Sequence, residues 1–202
     1  MRPIVILLAA LIALPSPHSA AAEPPIADRP VYKDGDVFEY VERFQSVACK
    51  RWEMTGRAAD GTQVSRCDGN VAYFAAETGA LLRIVGADGG DLVKMVPYSP
   101  PIPFPLQLGM TWSGAFRLST AEDPVSPMVD EACAVVSYET IKVAAGDLAA
   151  FRIDCVTAWT VWPLHGTVAV TSWYAPAART VVKVINASDS RWDMELASYS
   201  IN

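Results

Sequence analysis

From Tyr32 to the end, no segment carries an apolar stripe of helical period over ten residues, and that absence most restricts what this chain can become. In its place run short segments rich in Val, Ile, Thr, Tyr, Phe and Trp, cut at regular intervals by Gly, Asp and Pro. Asp36 to Phe44 alternates, with Val37, Tyr40 and Phe44 set against Glu39 and Glu42. Ser46–Met54 and Thr62–Cys67 flank an Asp60-Gly61 turn, and Asn70–Ala76 and Leu81–Val85 flank Glu77-Thr78-Gly79-Ala80. Asp88-Gly89-Gly90-Asp91 turns the chain into Leu92–Val96. Further strands are expected at Thr111–Leu118, Cys133–Val143, Leu148–Trp162, Gly166–Tyr174, Thr180–Asn186 and Arg191–Tyr199. Some ten to twelve strands joined in meander fashion imply an all-β, single-domain antiparallel β-sandwich or half-open β-barrel over residues 32–202.

Two stretches fall outside that pattern. Pro97–Pro105 (PYSPPIPFP) cannot donate regularly to a ladder and reads as an irregular seam between two halves of one sheet system. Asp123–Asp130 reads as a surface loop. Residues 23–31 (EPPIADRPV) are proline-rich and read as a flexible lead-in.

Residues 1–22 carry Arg2, an apolar run Ile4–Leu14, Pro15 and Pro17, and the small residues Ala20-Ala21-Ala22, in the order of a secretory signal peptide. The run is too short to cross a bilayer core, so no integral span is expected after cleavage. Secretion, with the bacterial periplasm as compartment, follows. Losing Arg2 takes the formal charge from −6 to −7, and no basic run exists, which argues against nucleic acid as a partner.

The four cysteines follow the signal, an even number suited to disulfides in an oxidising compartment. They allow three connectivities. Turn signals near the midpoints of Cys49…Cys67 and Cys133…Cys155 favour those two pairs, each facing itself across a hairpin. Each bridge would contribute ~3 kcal/mol in the chain-entropy model. No CxxC and no neighbouring histidine supports a metal site, so no metal and no cofactor is expected.

Signatures of catalysis are absent: no GxSxG, HExxH, SxxK or Gly-rich phosphate loop occurs, and no catalytic residue is assigned. His165 stands alone in a Pro163-Leu164-His165-Gly166 turn. Glu39, Glu42, Glu53, Glu139 and Asp154 on strands could in principle pair for hydrolysis, and Asp34-Gly35-Asp36 and Asp88–Asp91 hold oxygen ligands for calcium. Solvated strand faces and tight turns explain both sets. Asn186-Ala187-Ser188 is a glycosylation sequon that matters only where secreted proteins are glycosylated. The six tryptophans are the one compositional excess, suited mostly to a core. Trp159 and Trp162 lie three apart, so a regular strand points them to opposite faces, and both are candidate ligand-contact aromatics, Trp162 beside Pro163 foremost.

Five fragments resemble one family. Lys33-Asp-Gly-Asp-Val-Phe-Glu-Tyr40 is similar to a G-D-x-W/F-x-Y strand, and Phe104-Pro-Leu-Gln-Leu-Gly-Met-Thr-Trp112 to PL-x-x-G-x-x-W. Tyr138–Ile153 is similar to E-x-V-x-V-P-A-G-x-F-x-A-x-x-I, with Ala144 for the proline and Leu148 for the phenylalanine. Trp173-Tyr-Ala-Pro-Ala-Ala-Arg-Thr-Val-Val-Lys183 is similar to WYAP-x-x-x-x-VVK, and Glu195–Tyr199 to ELVSY. Together they resemble an uncharacterised family of secreted bacterial proteins, a domain of unknown function. The resemblance implies a secreted all-β domain and brings no catalytic residues; the cysteines are not part of its pattern. The expectation is therefore a non-enzymatic envelope domain that binds a small apolar or amphipathic ligand or an envelope protein. A carboxylate-dependent, glycosidase-like hydrolase and an assembly module using sheet edges are the alternatives.

Overall fold

A computed structural model describes residues 25–44, 49–121 and 125–202, with side chains described throughout except at 42–44 and 191. The expected signal peptide lies outside the described residues. Twelve strands follow one another: β1 (Val37–Phe44), β2 (Cys49–Arg57), β3 (Gln63–Cys67), β4 (Asn70–Phe74), β5 (Leu81–Val85) and β6 (Asp91–Val96), then β7 (Thr111–Thr120), β8 (Met128–Val143), β9 (Gly146–Val161), β10 (Leu164–Ala175), β11 (Thr180–Asn186) and β12 (Met194–Ser200). Each pairs antiparallel with its chain neighbours, and β12 returns to β1 through Val37↔Ser200, Phe38↔Tyr199 and Glu39↔Ser198. The meander is therefore a closed barrel, and β12 covers the edge that β1 would otherwise offer to solvent.

Several local expectations shift. In β1 the buried face carries Phe38 and Tyr40, with Val37 half-buried, so the inward phase is one residue off the Val37 phase expected from the sequence. Pro97–Pro105 is no seam, because β6 and β7 on either side of it pair directly from Val93↔Thr120 to Val96↔Arg117. It is an excursion that packs back on the barrel: Leu106 is fully buried, and an added Cβ at Gly114 would lie 2.8 Å from Pro100. The loop expected to end at Asp130 gives way to β8 at Met128.

One face of the ring is apolar in register. Phe38↔Trp52↔Cys67, then Ser65↔Ala72↔Ile84↔Val93, runs from β1 to β6. On the long β9 both faces are covered: Leu148 and Ala150 pack with Phe38, Tyr40 and Leu196, whereas Phe151 and Ile153 pack with Leu106, Val135 and Tyr174. Polar groups inside are matched. At a bulge in β2, Gln63 Nε2 donates to the Gly56 carbonyl at 2.8 Å, and Ser65 Oγ donates to the Glu53 carbonyl at 3.0 Å. Disulfides join Cys49 to Cys67 and Cys133 to Cys155, the second between residues directly opposite on β8 and β9.

Trp159 lies opposite Gly166, where an added Cβ would come within 2.7 Å of the indole. Only a glycine leaves room for that ring. Gly166→Val should therefore cost about 1–3 kcal/mol by overpacking, read as a lower urea midpoint with an unchanged slope. A midpoint equal to that of the parent would mean that Trp159 moves aside freely.

Candidate ligand cavity

Residues 25–36, expected to be loose at their start, form a strap across one end of the barrel. Ala27 and Leu106 exchange two backbone hydrogen bonds of 2.9 and 2.7 Å. Asp36, fully buried, anchors the other end of the strap: its carboxylate accepts from the backbone N–H of Lys33 at 2.9 Å and of Asn202 at 2.8 Å, with Arg179 Nη1 3.6 Å away. Arg179, in the left-handed region at φ 57° after the Pro176–Ala178 turn, also donates to the carbonyls of Val31 and Asn202. Its own carbonyl accepts from Tyr32 Oη at 2.8 Å. The Tyr32 ring is thereby fixed edge-on to Phe38, with centroids 5.9 Å apart.

Beneath this strap lie two adjoining cavities that share Tyr32 and Thr180. The outer, of about 230 Å³, is a mouth between the strap, the proline-rich excursion and the ends of β2, β3, β10 and β11, with Arg29, Arg57, Gln63, Phe104 and Tyr174 in its wall. The inner one, of about 170 Å³, lies on the buried Phe38–Tyr40 face of β1, is itself partly open to solvent, and is walled by Phe38, Tyr40, Trp52, Met54, Phe74 and Met194. Together they fall at the low end of the ~300–1,000 Å³ typical of small-molecule sites, the outer wall mixed polar and apolar and the inner one mainly apolar. Tyr40 Oη donates to the Val181 carbonyl at 3.0 Å and lies 3.1 Å from Thr180 Oγ1. Burial pushes the Tyr40 and Tyr174 phenols up to about 12, and burial, then the neighbouring Tyr174, raises Tyr32 further. All three stay neutral at ordinary pH. Neither wall contains Asp, Glu, His or Cys; the ionisable groups there are the two arginines and the three buried phenols.

The residues singled out by sequence lie elsewhere. Trp162 is 90% exposed at the β9–β10 turn, followed by exposed Leu164 and His165, and Trp159 sits on Gly166; neither tryptophan lines the cavity. Of the acids, two meet at one arginine on the surface and the other described ones make separate contacts. Glu39 and Glu53 both contact Arg51, Asp154 pairs with Arg152 and accepts from Thr171, and Glu139 accepts from the Trp173 indole. The Glu42 side chain lies outside the described ones. Asp88 caps its own turn through the Gly90 N–H, and Asp91 faces Arg83 and Lys94. Asn186 likewise caps its own turn by accepting from the N–H groups of Ser188 and Asp189. Glu131, raised above the usual carboxyl range by burial, clusters with Cys133 and Cys155, but a disulfide has no thiolate to give a metal.

Sequence reasoning missed Tyr32, Phe38, Tyr40, Trp52 and Phe74. The available signal was the even-numbered phase of β1, in which Asp36, Phe38 and Tyr40 share a face.

No family model and no curated protein matches the chain. Solved structures do. A Bacteroides fragilis protein, described as a candidate exported protein with a YmcC-like fold, superposes with TM-score 0.52 at 11% identity, over 86% of this chain and 99% of that one. A Parabacteroides distasonis protein, described as a candidate lipoprotein, gives TM-score 0.50 at 9% identity, over 87% and 100%. YmcC of Escherichia coli, described as a hypothetical lipoprotein, gives 0.48 at 11%, over 82% and 86%. At such identities the likeness is one of architecture alone, and the architecture of this twelve-stranded ring is the YmcC-like fold.

Proposed function

We propose that this protein is a non-enzymatic, extracytoplasmic binding module whose barrel takes up a small apolar or amphipathic molecule. The observation that carries this reading is the inner chamber of aromatic and methionine side chains, which adjoins the mouth at Tyr32 and Thr180. Rings and thioethers offer a polarizable, adaptable surface to an apolar chain. Two disulfides fit an oxidising compartment, and the signal peptide read from residues 1–22 supports secretion, with the periplasm as its destination. A hydrolase draws no support from acids that lie outside the cavity, Glu39, Glu53 and Asp154 held by arginines and Glu139 by the Trp173 indole, and strand addition draws none from a ring without a free edge among the described residues.

The test uses the neutral probe N-phenyl-1-naphthylamine with the oxidised mature protein. Saturable fluorescence enhancement at one site is expected. Thr180→Trp, placed where the two cavities meet, should weaken it by about tenfold or more, equivalent to ~1.4 kcal/mol. Absence of saturable enhancement in the parent protein overturns the reading.

A further inference from the structure

We infer that the ligand is a single-chain anionic amphiphile, its carboxylate or phosphate head held at the mouth by Arg29 and Arg57 and its tail in the inner chamber. The inference rests on the chamber being the ligand's seat, and it adds the charge, the orientation and the size of what sits there.

The charge comes from the wall. The chain is acidic, with 22 Asp and Glu against 16 Lys and Arg, yet the mouth is lined by two arginines and no acid. Elsewhere Arg51, Arg83, Lys94, Arg152, Arg179 and Lys183 each face a carboxylate within 4 Å, whereas Lys33, Lys50, Arg66, Arg117 and Lys142 do not but are spread over the surface outside the cavity wall. Among the described residues, Arg29 and Arg57 likewise have no such partner. Arg29 donates to the Glu77 backbone carbonyl and lies over the Phe104 ring, 5.9 Å from its centroid; Arg57 donates to the Gly61 carbonyl at 3.1 Å. These contacts orient each guanidinium, and both side chains remain exposed to solvent with no carboxylate beside them. A guanidinium in that state is matched by carboxylate or phosphate oxygens.

Orientation follows from the layout. The arginines belong to the outer cavity, whereas the inner wall of Phe38, Tyr40, Trp52, Met54, Phe74 and Met194 carries no charge. The polar atoms of Tyr40 are taken by Thr180 and Val181, so only an apolar tail suits that chamber. Size follows from the volumes: cavities of about 230 and 170 Å³ match one alkyl chain with its head group.

Displacement of N-phenyl-1-naphthylamine tests this with four twelve-carbon competitors, each below its aggregation concentration: dodecanoate, dodecyl phosphate, dodecanol and dodecyltrimethylammonium. At low salt both anions should compete at about tenfold lower concentration than the alcohol and the cation, and the advantage should shrink as salt is added. In Arg29→Gln/Arg57→Gln the anions should fall to the level of dodecanol, the comparison being made among competitors on the same variant. Arg57→Gln alone, which leaves the strap untouched, should remove part of the advantage and covers the case in which the double variant folds poorly. If dodecanol competes as well as the anions, the head-group assignment is wrong while the chamber reading stands. If the probe and all four competitors fail to bind, both fall together.

Discussion

Phe151→Ala should lower stability by about 3–5 kcal/mol, the usual cost of emptying a fully buried phenylalanine site. Phe151 is completely buried in the middle of β9, its ring 4.7 Å from that of Tyr138, in the cluster that joins Leu106, Val135, Ile153 and Tyr174. Collapse into the hole is restricted from behind. On the opposite face of the same strand Ala150 is equally buried, so β9 cannot shift toward one cluster without leaving the other. Phe151→Leu should recover most of the loss, leaving less than about 1.5 kcal/mol. Urea denaturation of both variants checks this. A loss below about 1 kcal/mol in the alanine variant would show that the proline-rich excursion repacks over β9 without cost.

Asp36→Ala is expected to cost about 3 kcal/mol, the low end of the range for breaking a buried ion pair, because Arg179 keeps some access to water. Most of the effect comes from what the carboxylate leaves behind. The Lys33 and Asn202 N–H groups lose their acceptor, and each unsatisfied donor is penalised by ~1–3 kcal/mol if water cannot reach it. Arg179 loses its only carboxylate within 4 Å among the described residues. Asp36→Asn keeps an acceptor for one N–H but drops the charge, and should fall between parent and alanine. Protease sensitivity near residues 25–34 should rise in step with the loss of stability. An alanine variant as stable as the parent and with an uncut strap would refute the anchoring role.

Much of the barrel was legible because its signals are local. β5 and β11 fall on the expected residues, and the turns at Asp60-Gly61, Gly79 and Gly89 lie where glycines at positive φ are needed. The phase of β1 was misjudged because both of its faces carry large apolar side chains, Val37 on one and Phe38 and Tyr40 on the other. Alternation cannot choose between such faces; the neighbouring strands do. Asp36 looked like one acid of a turn, and only the Asn202 N–H, which lies at the opposite end of the sequence, makes it an anchor. The cavity was illegible for a related reason. Its rings come singly from the strap, β2 and β4 and as a pair from β1, and no spacing within any one segment marks them as a set. Trp162 was legible as exposed because Pro163 beside it ends the strand, but exposure at a turn is not a place in the cavity.

The closure of the ring also dictates a sequence of events. Eleven of its ladders join strands adjacent along the chain and can zip as each hairpin is completed, most across short loops and β6–β7 across the proline-rich excursion. The twelfth, β1 to β12, spans almost the whole polypeptide. β1 is made first and must wait for Met194–Ser200, so throughout synthesis the growing sheet carries an unsatisfied strand at its leading side. The risk of intermolecular strand pairing is thus concentrated before the arrival of the last seven-residue strand, and it ends when that strand docks.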